Sequence, residues 1–385
     1  MLRGRNLIFF QFKELDMKIN FKRIILICFS GLLCGCNTKL SITTDGISGV
    51  QAIHTEYQNQ YINGDYTTTN YTKLESWMAT SDYSYPKPVV LSWKSTEELF
   101  KVHVSENEDF SSSWIFETTE QTFNLYNLKI NTTYFYKIES ISGKRSLFTK
   151  TYSFQTIEKG PRNLFIENVT NSRDIGGNKI KQGLVYRTSS FNSFNEETIS
   201  EFGLKTIKEQ LGVKTDIDLR RKDDDNGMAN ITSSPLGEDV KFYSIPMNTA
   251  RGGNMLTYKK DEYDNPQAIR DIFEVLKDEN NYPLAFHCSR GVDRTGLIAF
   301  LLEGLLGEDE EYLVRDYLFS YYGNINGSIS FDDIMGNREA RNKYGYYLID
   351  YPNGESMSEK FYNCLVEEIK VPSTSLDAVI NILRA

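Results

Sequence analysis

Between Pro86 and Thr156 apolar and polar residues alternate in short runs. Val89-Val90-Leu91-Ser92-Trp93, Phe100-Lys101-Val102-His103-Val104, Ser113-Trp114-Ile115-Phe116, Thr133-Tyr134-Phe135-Tyr136-Lys137-Ile138 and Thr151-Tyr152-Ser153-Phe154 are parted by polar turns. Short apolar runs at this spacing predict strands of an antiparallel all-β sandwich. From about residue 158 the rhythm changes. Leu184 to Arg187, Thr215 to Leu219, Lys241 to Ile245 and Leu284 to His287 read as strands, interleaved with helical periodicity over Asn195 to Gln210 and Gln267 to Lys277. That alternation predicts an α/β domain, a central sheet flanked by helices. A helical run follows, over Leu297 to Leu305, Asp309 to Tyr321, Asp332 to Lys343, Ser358 to Ile369 and Ser375 to Arg384.

Upstream of the strands the chain is polar, and residues 37 to 80 read as a tether merging into the first strands. Before it, Lys18, Lys22 and Arg23 precede the apolar run Ile24 to Leu33, too short to span a bilayer but suited to a signal-peptide core. Met17 fits as the start of that signal. The run ends in Leu33-Cys34-Gly35-Cys36, which resembles a bacterial lipoprotein signal, with Cys34 where a small residue is usual. The resemblance implies that Cys36 is acylated and anchors the chain to a membrane of the bacterial cell envelope, periplasmic or surface-exposed. The expected organisation is signal and lipobox at 1–36, tether at 37–80, sandwich at 81–157 and α/β domain at 158–385.

Composition narrows the field. The 385 residues are 40% hydrophobic, enough for two cores, and the formal charge of −9 argues against nucleic acid as a general partner. Removing Cys28 and Cys34 with the signal leaves Cys36, Cys288 and Cys364, so no disulfide framework is expected. His54 and His103 lie far upstream of His287, so histidines assemble no metal cluster.

The chemistry concentrates in His287-Cys288-Ser289-Arg290-Gly291-Val292-Asp293-Arg294-Thr295-Gly296, entered from an apolar strand and left by an apolar helix. Backbone N–H groups from Ser289 through Arg294, including those of Arg290, Gly291 and Val292, can converge at a helix N-terminus and favour an anion. The same field lowers the pKa of Cys288 below the free value of about 8.5. Arg294 adds a planar fork that matches two phosphoryl oxygens. Thiolate and phosphate would share one pocket, and the loop's own positive charge leaves no role for a metal or other cofactor.

Cys288, five intervening residues, Arg294 and Thr295 resemble the cysteine-dependent protein tyrosine phosphatases. That resemblance implies a phosphocysteine intermediate on Cys288, phosphoryl binding by Arg294 and help from Thr295 as the thiolate leaves. Asn171 to Gly177, Gly183 to Ser189, Asp216 to Arg220 and Asp316-Tyr317-Leu318 are similar, in order, to the bacterial branch that places Asp before the loop arginine. The resemblance covers about residues 160 to 385. Trp77, Trp93 and Trp114 all lie outside this half, so the Trp-Pro-Asp loop of better-known relatives is missing. Asp293 is the leading candidate for the acid, with Asp218, Asp261 and Asp264 in reserve. The last two lie in Gly252 to Gln267, a polar stretch long enough for a lid. In the run Arg220 to Asp225, Lys222 and the three aspartates read as a solvated turn, while Arg220 would face the site.

Trp93 on an early strand and Tyr134 after Leu128 resemble a fibronectin type III module, expected to act as spacer or docking surface. Three functions follow: an exported phosphatase of phosphotyrosine or other protein phosphomonoesters, including dual specificity; a phosphatase of inositol phosphates or phosphoinositides, which Arg290 keeps open; or an inactive phospho-binding surface protein. The expected partners are a phosphorylated protein or a small phosphomonoester, together with the membrane through the anchor.

Overall fold

The computed structural model describes residues 40–64, 85–192, 198–249, 254–260, 262–320 and 346–385. The signal with Cys36, Asp261 and the helix expected at Asp332 to Lys343 lie outside them.

The N-terminal strands are β1 (Val89–Ser92), β2 (Leu99–Ser105), β3 (Trp114–Thr118), β4 (Thr122–Leu125), β5 (Thr133–Ser142), β6 (Arg145–Phe148) and β7 (Tyr152–Thr156). β1 pairs with β4, while β7, β5, β2 and β3 form a larger antiparallel sheet with β6 on the edge of β5. The alternation seen in sequence is the alternation of burial: Tyr134, Tyr136 and Ile138 of β5 point inward to meet Phe100, Val102 and Leu91. The Tyr134 hydroxyl accepts from the Lys129 N–H at 2.9 Å and fixes the turn that leads into β5. β4 and β6 escaped the sequence reading, since β6 (Arg-Ser-Leu-Phe) is exposed throughout and shows no apolar face.

The stretch read as a tether is structured where it is described. Strand residues Val50–Gln51 pair with β7, and helix α1 (Glu56–Asn63) follows. A reciprocal cap between Thr55 and Gln58 starts this helix. Only Tyr61 and Ile62 carry it into the core of the α/β domain, too few apolar positions to announce a helix by periodicity.

The second sheet is built from β8 (Arg162–Asn163), β9 (Arg173–Asp174), β10 (Val185–Thr188), β11 (Thr215–Asp218), β12 (Lys241–Ser244) and β13 (Leu284–His287), in the order β8-β9-β10-β13-β11-β12. β10, β13, β11 and β12 run parallel, and β8 and β9 add an antiparallel edge. β13 therefore lies in the middle, and the C-terminal end of a central parallel strand is where such sheets commonly bind ligands. Leu284 and Phe286 face one core while Ala285 faces the other, so both sheet faces are covered, as parallel strands require.

The helices are α2 (Glu201–Lys205), extended by a π turn at Thr206–Gln210, α3 (Asn265–Leu276), α4 (Asp293–Leu306), α5 (Glu310–Phe319), α6 (Met357–Cys364), extended at Leu365–Ile369, and α7 (Ser373–Leu383). Every residue of α4 from Arg294 to Leu306 is buried, so this helix is enclosed on all sides and shows no amphipathic stripe. At Gly304 a Cβ would lie 2.2 Å from the Phe361 ring, which sets how closely α6 approaches.

Candidate active site

The turn between β13 and α4 carries the site. α4 starts at Asp293, and its N-cap Val292 offers no side-chain acceptor to the first-turn N–H groups. Those donors, with the helix dipole behind them, face the loop interior and suit an anion. Gly291 makes the turn at φ +69°, where a Cβ would meet the Thr188 carbonyl oxygen at 2.4 Å. Arg290 stands exposed on the rim and Ser289 is half-buried.

Cys288 lies on the floor, 3% exposed. Burial favours the neutral thiol, but the charge of Arg294 and the polar groups of Thr295 outweigh it. The pKa therefore falls below the ordinary thiol value. Beneath it, His287 is fully buried with Nε2 3.1 Å from Asp216 and Nδ1 3.8 Å from Asp218. Burial disfavours the imidazolium, yet those two carboxylates raise its pKa above the ordinary range. Ser234 donates to Asp216 at 2.6 Å and steadies it.

Arg294 sends one nitrogen toward the Leu219 carbonyl at 3.3 Å and pairs with Asp224. Its Nε, buried, has no hydrogen-bond partner among the described residues and is a donor available to an oxyanion. Asp224 was expected in solvent. Instead it is held by the Arg221 N–H at 3.0 Å and braces Arg294, and Asp225 pairs with Arg220 at 3.0 Å. The block of basic residues followed by acidic ones thus serves pairing across a sharp turn, with Asp225 and Asn226 both at positive φ. Arg220 likewise departs from expectation: its buried guanidinium donates to Asp218 and Asp225 and spans the base of the turn.

The stretches that resemble the phosphatases frame the loop. Asn171 donates to the Arg290 and Gly291 carbonyls, each at 3.0 Å, and Arg187 donates to Gly291 O at 2.9 Å. Arg173 holds Asn171 and also Asp316, at 2.9 Å, and Asp316 pairs with Arg187 too. Asp316 thus offsets part of the positive charge of two buried guanidinium groups, one oxygen facing each. Sequence resemblance marked these stretches without showing their part; paired Arg and Asp within apolar runs were the available signal.

Of the acid candidates, Asp293 sits in the first turn of α4, half-buried, with the Tyr317 hydroxyl 3.4 Å from its Oδ1. Asp218 is buried; burial pushes its pKa up, but His287 and Arg220 outweigh this and hold it below the ordinary carboxylate value. That leaves it ionised and poorly suited to give a proton. Asp264 caps α3 through the Gln267 N–H and pairs with Lys259 at 2.7 Å, and both contacts lower its pKa. The Lys259–Lys260 and Tyr263–Asp264 pair of strands occupies the stretch where a lid was expected, and Tyr263 lies against the Arg221 guanidinium at 5.7 Å.

A family model described as the tyrosine phosphatase family matches residues 164–371. A tyrosine-protein phosphatase of Nostoc commune is 30% identical over 122 residues, 29% of this chain and 41% of that protein. A Cupriavidus necator protein named for tyrosine-protein phosphatase activity is 25% identical over 189 residues, 43% of this chain and 66% of its own length. The chain thus spans less than two thirds of either relative. Among solved structures, the core catalytic domain of the PP-IP phosphatase SIW14 from S. cerevisiae aligns at TM-score 0.27 and 18% identity, covering 38% of this chain and 78% of that one. That likeness is too slight to say anything about this chain.

Proposed function

The chain belongs to the tyrosine phosphatase family, and from that premise we propose that it hydrolyses phosphotyrosine and related protein phosphomonoesters through a phosphocysteine on Cys288. The observation that carries this reading is the buried Cys288 on the turn before a helix without a side-chain cap, with Arg294 beside it lowering the thiol pKa.

The thiolate attacks phosphorus as the ester P–O bond breaks and a P–S bond forms. Arg294 and the backbone N–H groups of Ser289 to Arg294 hold the equatorial oxygens, supplying charge where the transition state spreads it. Asp293 gives its proton to the leaving oxygen. Water then attacks phosphorus, Asp293 takes a proton from it, and Cys288 departs as thiolate, stabilised by the Thr295 hydroxyl. All charge compensation comes from the chain, so turnover is expected to persist in chelator.

Arg290, exposed on the rim, favours a second reading, in which the substrate is an inositol phosphate or phosphoinositide. Turnover of a phosphotyrosine peptide against inositol hexakisphosphate separates the two. A strong preference for the peptide supports the first, and the reverse would replace it.

The reading extends to location. The basic residues, apolar run and Cys36 support a lipid anchor in the cell envelope, carrying a fibronectin type III-like sandwich at 81–157 and a catalytic domain at 158–385. Fatty-acid labelling of the parent but not of Cys36→Ala is the expected result; equal labelling would remove the anchor from the account.

A further inference from the structure

The contact between sandwich and α/β domain centres on Arg162, 2% exposed. A guanidinium is expensive to bury unless its donors are met, and those of Arg162 are met from both domains. Nε donates to Leu128 O at 2.9 Å and Nη2 to Asn127 O, both on the sandwich turn between β4 and β5. Nη1 donates to Asp174 Oδ2 at 2.5 Å, on β9.

β9 has only two residues, and adjacent residues of a strand point to opposite faces. Asp174 faces Arg162 and gathers the N–H groups of Gly176 at 2.8 Å and Gly183 at 2.6 Å. Arg173 faces the other way, to Asp316 and Asn171, and Asn171 grips the carbonyls of Arg290 and Gly291. Hydrogen bonds from the two adjacent residues of one short strand thus lead to sandwich carbonyls on one side and to oxyanion-loop carbonyls on the other.

We infer that the sandwich is a positioning part of the active site, setting the oxyanion loop through Arg162 and β9. This rests on the phosphatase reading of the loop. Arg162 is a positioning residue, since it touches no substrate. A mere spacer would need no buried cation at its junction, whereas here two of the three described Arg162 acceptor groups belong to the sandwich.

The test uses the full chain and Arg162→Lys, which keeps a cation opposite Asp174 but lacks the planar fork needed to reach both sandwich carbonyls. The readouts are the orthovanadate inhibition constant, the acid limb of kcat/KM for an aryl phosphate, and Tm. The expected loss is about tenfold in kcat/KM and in vanadate affinity, below the ~10²-fold cost of a full ångström of misplacement. The acid limb should move to higher pH as the thiolate loses aligned donors. Leu91→Ala is the control: it removes apolar volume from the sandwich core and touches none of the Arg162 acceptors. It should lower Tm and leave the kinetic constants alone. Parent values of vanadate affinity and acid limb in Arg162→Lys would overturn the inference. If that variant does not fold, Asp174→Asn is read by the same criteria. A parent without turnover would count against the phosphatase reading itself, and vanadate affinity by calorimetry would still decide the positioning role.

Discussion

The apolar core of the sandwich and the charged cluster that frames the oxyanion loop are built on different principles. In the sandwich, Val89, Leu91, Phe100 and Val102 are almost wholly buried and meet other apolar side chains. Around the oxyanion loop the largest fully buried side chains include Arg162, Arg173, Arg187 and Arg220, each facing a carboxylate. The first core gains by removing apolar surface from water, a non-directional effect that tolerates substitution of similar volume. The second depends on matched charges and fixed directions, where loss of one partner leaves another stranded. A substitution in the first should change stability alone, and one in the second should change stability and geometry together.

The largest effect should come from Arg294, the cation proposed to hold the phosphoryl oxygens. Arg294→Lys keeps the charge but loses the planar fork and the brace from Asp224, so kcat/KM for an aryl phosphate should fall on the order of 10²- to 10³-fold with little change in Tm. A fall of less than about tenfold would mean that directionality is not what the loop region supplies.

Next is the shared carboxylate. Asp316→Asn leaves Arg173 and Arg187 facing a neutral amide, and should cost about 3–5 kcal/mol in chemical denaturation while also weakening vanadate binding. In the sandwich, Leu91→Ala should cost about 2–5 kcal/mol through cavity and transfer terms, with the vanadate constant unchanged. If both variants changed stability alone, the contrast between the cores would collapse.

The smallest effect is a pH dependence. The folded pKa of His287 is raised by Asp216 and Asp218 above its unfolded value. Its contribution to stability is thus fully present below the unfolded pKa and is lost as pH rises through the folded one. Asp216→Asn should flatten that decline in a series of denaturation curves; an unchanged slope would assign it to another group.

The same contrast explains what the sequence made legible. Alternation placed β1, β2, β3, β5 and β7 to within a few residues, because their inward faces are apolar. β13 and the following helix were equally plain, with Cys288 on the turn between them and Asp293, Arg294 and Thr295 in the first turn of the helix. The Asp224 brace was hidden, since a run of like acids after basic residues looks solvated until the turn folds it back on Arg294. α1 was hidden for the opposite reason, being polar except where Tyr61 and Ile62 insert. Arg220, aimed at the site by its place at a strand end, is drawn off by its neighbours Asp218 and Asp225.

The most direct test of the central claim is acid quenching of the full chain during turnover of a ³²P-labelled aryl phosphate, beside Cys288→Ser. Acid-stable label on the parent, located to Cys288 and missing from the variant, is the predicted result. Turnover by the parent with no label trapped at any quench time, or equal turnover by Cys288→Ser, would contradict the thiolate mechanism.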